Sequence, residues 1–240
     1  ILHFPGIEKR RRGARQRPPR PVRDPTGKDD GFMAAVTGKF PVRIETMAHR
    51  APNVEIYFPQ ATGLANRDAQ VRINQTIAEQ TRELVRRQLA VQIQGNTEMQ
   101  GYYEIKSNER GVLSLIQVNY AYTPPMAHGM TFAGSLTFSV ATGRSYGLGD
   151  LFKPGSPYVA RISANIREQI RQRDFPTLGE FTAIRPDQDY YIADKALVVY
   201  FQLYEIAPYA AGFPMFPISV YALQDIIAEN SPLGVMLADV

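Results

Sequence analysis

The sequence contains no cysteine. That excludes disulfides, thiolate nucleophiles and cysteine-based zinc sites together. It leaves the compartment open, since a cysteine-free chain suits a cytosol and equally a bacterial exterior. Histidine is scarce: His3, His49 and His128 are the full set. No two of them have H-x-H or H-x-x-x-H spacing, so none builds a local metal site. No run of 18 apolar residues occurs, so no segment reads as a transmembrane helix. A signal peptide needs an apolar stretch after its positive region. Here Ile1-Leu2-His3-Phe4 is short and precedes the charges, so none is visible in this chain. G-x-S-x-G, G-x-x-x-x-G-K-[ST] and G-x-G-x-x-G are all absent. With them go the nucleophile elbow, the phosphate loop and the dinucleotide fingerprint. The expectation is a chain that is not an enzyme and needs neither cofactor nor metal.

What is present suits a globular protein. The chain has 240 residues, 44% hydrophobic and 21% charged. That accommodates one large domain or two small interlocked ones without disulfide or metal support. The formal net charge of +4 is unevenly distributed. Residues 1–28 hold nine Lys/Arg and two Asp/Glu, a net of +7, and the other 212 carry −3. The N-terminal run contains Lys9-Arg10-Arg11-Arg12, Arg15, Arg17 and Pro18-Pro19. Charge repulsion and proline oppose a helix there, and little apolar surface is available to bury. Residues 1–35 are therefore predicted to be a disordered basic arm. It is either a solvated linker or a segment attracted to anionic surfaces, and it is the only part expected to meet a membrane. The acidic remainder argues against a nucleic-acid partner for the folded part.

Phe40, Val42 and Ile44 alternate with polar neighbours, as do Val54, Ile56 and Phe58. Both read as half-buried strands, with Pro59 expected to stop the second and His49 between them. Asn66 is a good N-cap for a helix over about residues 66–91, with an apolar stripe of Ala69, Ile73, Ile77, Leu84 and Leu89. Three strands follow. The first carries Tyr103 and Ile105, and the second places Val112, Ile116, Val118, Tyr120 and Tyr122 on one face. In the third, Phe132, Leu136, Phe138 and Val140 face inward, and Ala133, Ser135, Thr137 and Ser139 face water. Ser156-Pro157 reads as the capped start of a second helix with Val159, Ile162, Ile166 and Ile170 inward. Strands over 189–192 and 196–204, the latter central, precede one at Phe216, Ile218 and Val220. A short helix over 223–227 closes the chain. Hairpins dominate, so the fold class is α+β. The expectation is largely antiparallel sheets packed by two longer helices and one short C-terminal helix. Two interlocked modules divide it, over residues 36–125 and 126–240.

Few residues offer chemistry. His128 lies in a loop just before a strand, and can serve as a base, a ligand contact or a structural hydrogen-bonder. Asp187, Asp189 and Asp194 could hold a hard cation, but lack the glycine and closing glutamate of a calcium loop, and turn-capping is the plainer role. Tyrosine is abundant, with 13 residues against no tryptophan, and its rigid ring and polar tip suit a binding surface as well as a core.

The stretch Tyr204-Glu205-Ile206-Ala207-Pro208-Tyr209-Ala210-Ala211-Gly212 is distinctive. It resembles the C-terminal signature of a domain-of-unknown-function pair in RsiV-type anti-sigma factors, also similar to a region of PdaC-type peptidoglycan deacetylases. Tyr57-Phe58-Pro59-Gln60, Ala127-His128-Gly129-Met130-Thr131-Phe132, Thr142-Gly143 and 148–152 follow the same order. In those anti-sigma factors this region is the sensor that binds lysozyme. The resemblance thus implies a non-catalytic extracytoplasmic binding module of the cell envelope. Its partner would be a muramidase-like protein, with Pro208, Tyr209, Tyr204 and His128 as ligand-binding residues. The alternative is a glycan-binding accessory domain of wall metabolism, using exposed rings such as Tyr102, Tyr103 or Tyr146. Where those relatives have a glycine-rich turn before the Ala-His, this chain has Pro124-Pro125-Met126.

Overall fold

The structure, a computed structural model, describes residues 7–9 and 42–237. The expected arm over 1–35 lies outside these, apart from a short strand β1 (Ile7–Lys9). Phe40 also lies outside them.

Among the described residues, nine strands form two sheets. The larger contains β1, β2 (Arg43–Ala51), β3 (Val54–Thr62), β4 (Glu98–Glu109), β5 (Val112–Tyr122) and β6 (Met130–Ser139), in that order. All neighbours are antiparallel except β3 and β4, which run parallel over 54–56 and 99–101. Helix α1 (Arg67–Val91) makes that single crossover. The smaller sheet has the order β7 (Tyr190–Ala193), β8 (Ala196–Tyr200) and β9 (Met215–Ser219), all antiparallel, with β8 central as expected. The boundary expected near residue 125 falls in the loop between β5 and β6, and both strands lie in one sheet.

The layers are α1, large sheet, small sheet, α2 (Tyr158–Arg173). Ile73 and Ile77 of α1 pack on Leu113, Leu115 and Phe138. On the opposite face, Ile116, Val118 and Ala133 meet Tyr191, Val198 and Tyr200. Beyond the small sheet, Ile192, Leu197, Val199, Phe216 and Ile218 meet Ile162 and Ile166 of α2. The chain therefore has the α+β architecture expected, with α3 (Pro232–Leu237) as the short C-terminal helix.

Several local expectations are corrected. Pro59 does not end β3 but pairs with Thr46 inside it. The β3–β4 pairing covers only Val54–Ile56, so beyond it β3 has no second neighbour for an N–H to serve. His49 belongs to β2, not to a loop. In α1 the buried position after Leu84 and Val85 is Gln88, while Leu89 is 49% exposed. The Gln88 carboxamide fills that site by donating to the Asn119 and Met130 carbonyls at 2.6 and 2.9 Å. Ser156 does not cap α2: Pro157 occupies the cap position with ψ 43, which puts the serine one residue too early. β8 ends at Tyr200, not Tyr204, and the closing helix is α3 rather than 223–227, where a 3₁₀ turn ends at Leu223. The supposedly wet face of β6 is an interface. Ala133 and Thr137 are buried there, Ser135 donates to the Tyr190 carbonyl, and Thr137 pairs with Ser114 at 2.8 Å. Ser114 and Ser107 in turn accept from the Ile192 and Asp194 N–H groups, each at 3.0 Å. Small hydroxyls thus satisfy the outer edge of β7, a strand edge that would otherwise invite pairing with another chain.

Candidate functional site

Two loops at one end of the molecule carry the candidate residues. The first, 123–129, joins β5 to β6 and carries His128. It is held from within by the Met126 N–H on the Thr123 carbonyl at 2.9 Å. The second, 201–214, joins β8 to β9 and carries the Tyr204–Gly212 stretch. Ala207 in it is 1% exposed, so a small side chain is required where the loop passes the core. Pro208, exposed, precedes a 3₁₀ turn over Tyr209–Ala211. Gly212 closes that turn at φ 66 and ψ −147, a conformation essentially restricted to glycine.

The loops bring three rings together. The His128 and Tyr209 centroids are 4.8 Å apart, Tyr204 and Tyr209 5.6 Å, and His128 and Tyr204 6.4 Å. These are ordinary separations for favourable aromatic pairs. Gly129 lies beneath the cluster. Its carbonyl accepts from His128 Nδ1 at 2.8 Å and from the Tyr209 hydroxyl at 3.3 Å. A carbonyl can only accept, so Nδ1 carries the proton. In the neutral ring, Nε2 is then the acceptor facing the Tyr204 hydroxyl at 3.3 Å. Both ring nitrogens are therefore engaged, by a carbonyl and a phenol rather than a carboxylate. The glycine is also a packing requirement. A Cβ at residue 129 would sit 2.2 Å from the Tyr120 ring, so Tyr120 lies directly over that peptide.

All four sequence-predicted residues thus fall on the same two loops, and their exposure differs. Tyr209 is half-buried and tied down, whereas Tyr204, 46% exposed, presents the more open ring. Tyr204 also sits at φ +65, a left-handed conformation uncommon for a non-glycine residue. Tyr120, expected on one face of β5 with Val112, Ile116, Val118 and Tyr122, joins the patch at 37% exposed.

A polar network lies behind Tyr204. Glu205 pairs with the Arg185 guanidinium, accepts from Gln188 Nε2 at 3.2 Å, and accepts from the Gln202 N–H at 2.7 Å. Gln202 donates to Asp189 at 2.8 Å. Burial pushes the Asp189 carboxyl above the usual range, and the Gln202 hydrogen bond opposes that shift. The three aspartates considered as a cation site do not act together. Asp187 pairs with Arg185 at 3.5 Å, Asp189 faces Gln202, and Asp194 sits in the β7–β8 turn at φ 48.

The rings considered for a glycan trough are separated. Tyr102 and Tyr103 are consecutive on β4 and so point to opposite faces. The Tyr103 hydroxyl is bonded to Thr46 at 2.7 Å, and the Tyr146 ring carries the Arg144 guanidinium at 4.5 Å. Tyr102 remains 51% exposed. Surface clefts among the described residues lie on α1 around Asn74–Arg82, at the β2–β3 turn and between Lys153 and Leu237, and His128 lines none of these three. Among the described residues no helix is long and apolar enough to cross a membrane.

Residues 149–221 match the family described as "Protein of unknown function (DUF3298)", and this segment contains the whole Tyr204–Gly212 stretch. The chain is 26% identical over 190 residues to the anti-sigma-V factor RsiV of Bacillus subtilis (strain 168), covering 73% of this chain. The match spans 65% of that relative's length. Two solved structures share the fold. One is a member of the DUF3298 family from Bacteroides fragilis NCTC 9343, with TM-score 0.61 and 14% identity, covering 81% of this chain and 97% of that one. The other is a DUF3298 family protein from Pseudomonas aeruginosa PAO1, with TM-score 0.61 and 16% identity, covering 79% and 96%. The resemblance to RsiV-like proteins read from the sequence is therefore found by comparison too.

Proposed function

We propose that this chain is a non-catalytic, extracytoplasmic sensor module. It recognises a protein ligand through His128, Tyr204, Pro208 and Tyr209, and a lysozyme-like muramidase is the ligand class to test first. The observation that carries this reading is the convergence of three rings from two separate loops onto one peptide, that of Gly129. Rigid aromatic side chains give large contact area with little conformational entropy left to lose, which is what protein-binding hot spots require. Their surroundings fit. Ile93 and Leu178 are exposed by 45% and 58%. Both are tied to the same end of the molecule. Gln92 accepts from the Thr123 hydroxyl at 2.9 Å, and the Leu178 N–H donates to the Ile206 carbonyl at 2.9 Å. The match to an anti-sigma factor supports an envelope-facing, protein-binding role.

The test is calorimetry of the chain against egg-white lysozyme, with Tyr209→Ala and Tyr204→Ala beside it. Each variant is expected to weaken binding by about tenfold or more, the usual loss when a central aromatic anchor is truncated. Unchanged affinity in both variants overturns the site. No binding by the intact chain overturns the ligand class. A glycan is the second reading, favoured by the exposed Tyr102 ring on β4. Binding of peptidoglycan fragments that is lost in Tyr102→Ala would establish it instead.

A further inference from the structure

We propose that Gln202 and Glu205 are positioning residues of the aromatic patch. They clamp residues 202–205 to the outer edge of β6 and hold Tyr204 in the left-handed conformation that brings its ring to His128. The inference rests on the patch being the binding surface, but its geometric half stands without a ligand.

The clamp has two parts. Among the described residues β6 is the last strand of the large sheet, and its outer edge meets only an isolated bridge from Phe138 to Ser145, which leaves the backbone around Ala133 without a neighbouring strand. At Ala133 the Gln202 carboxamide takes the place of that missing strand. Its Oε1 accepts from the Ala133 N–H at 3.1 Å and its Nε2 donates to the Ala133 carbonyl at 2.9 Å. A carboxamide has the same donor and acceptor as a peptide, so one side chain satisfies both groups of the edge residue. The same Nε2 donates to Asp189 at 2.8 Å, which fixes the amide's orientation.

The second part closes the turn. The Glu205 carboxylate accepts from the Gln202 backbone N–H at 2.7 Å, while the Glu205 N–H donates to the Gln202 carbonyl at 3.1 Å. These reciprocal bonds enclose Leu203, which is buried, and Tyr204, which is not. The carboxylate's other oxygen is held by Gln188 and Arg185. Residue 204 must then take φ +65 to let the chain turn back, and this turns its side chain outward to His128. A backbone conformation unfavourable for tyrosine persists only where the surroundings over-determine it. Seven hydrogen-bonding contacts of Gln202 and Glu205 supply that determination. A turn with glycine at 204 would relieve the strain and lose the ring, so the sequence retains the strained residue that carries the contact group.

The experiment reads the Tyr204 ring directly, by NMR of the full chain with labelled tyrosine and histidine. Parent, Glu205→Ala, Glu205→Gln and Gln202→Met are compared. In the parent, the Tyr204 ring and His128 Hε1 signals should be displaced from free-residue values by their neighbours' ring currents. In Glu205→Ala and Gln202→Met these displacements should collapse, while the buried Tyr190 and Tyr200 signals stay in place and report an intact core. Glu205→Gln keeps an acceptor for the Gln202 N–H and should restore most of the displacement. A purely structural clamp would move the core signals together with the patch, or neither. If Tyr204 and His128 are unmoved in whichever of the two disrupting variants folds, the proposal is overturned and packing of Leu203 and Ala207 alone sets the loop. Lysozyme binding is measured on the same samples. Absent binding with collapsing ring signals overturns the ligand reading and leaves the clamp. Unmoved ring signals with intact binding do the reverse.

Discussion

At the scale of single residues, the patch combines strain and constraint. A non-glycine residue in the left-handed region costs about 1–2 kcal/mol. Replacing Tyr204 by glycine removes that cost but also the ring contacts, worth about 0.5–1.5 kcal/mol. Thermal unfolding of Tyr204→Gly should therefore show stability within about 1 kcal/mol of the parent, alongside a clear loss of ligand affinity. A large destabilisation would mean that the ring serves the fold. Asp189 gives a pH prediction with a definite sign. Its carboxyl is raised by burial, so the folded chain favours the protonated form. The stability this contributes is present below the unfolded carboxyl's range and is lost as pH rises through the raised value. Asp189→Asn stays neutral, and its Oδ1 can still accept from Gln202. Unfolding curves should show it at least as stable as the parent near neutrality. The difference should shrink as pH falls and the parent's carboxyl becomes protonated. A variant that is less stable at neutrality would show that attraction to Arg185 and Arg87 outweighs burial.

At the scale of elements, β5 carries the packing. Leu115 faces α1 and Ile116 faces the small sheet, and both are fully enclosed. Leu115→Ala and Ile116→Ala should each cost about 2–5 kcal/mol in denaturant unfolding. A strand wet on one face would show that loss on one side only. This two-sidedness is also where reading by alternation failed. In β5 the odd positions 113 and 115 are as apolar as the even ones, which marks a strand covered on both faces. In β6 the small hydroxyls at 135 and 137 imitate a solvated face, because Ser135 bonds the Tyr190 carbonyl of β7 and Thr137 bonds Ser114 of β5, contacts that water would otherwise make. The α1 boundaries were legible, since Asn66 does cap, accepting from the Ala69 N–H at 3.1 Å. The end of β8 was not. What stops it is the Glu205 side chain taking the Gln202 N–H, a contact with no signature in apolar pattern. The same limit applies to the site. The Tyr204–Gly212 stretch marked one loop and His128 the other, but their meeting over Gly129 depends on how two sheets stack, which no spacing in the chain encodes.

At the scale of the whole molecule, four layers leave two loops from different sheets side by side at one end. The large sheet supplies 123–129 and the small sheet supplies 201–214. A patch built across both depends on the sheets' relative placement, which the hydroxyl contacts of Ser107, Ser114 and Ser135 fix. The central claim is that this end meets a protein ligand. It is tested most directly by hydrogen exchange of the full chain, alone and saturated with egg-white lysozyme. Slowed exchange at the backbone amides of 126–130 and 203–212, with β2, β3 and the α2 surface unchanged, is the predicted result. Protection confined to the exposed β4 face around Tyr102, or none anywhere, would contradict the account.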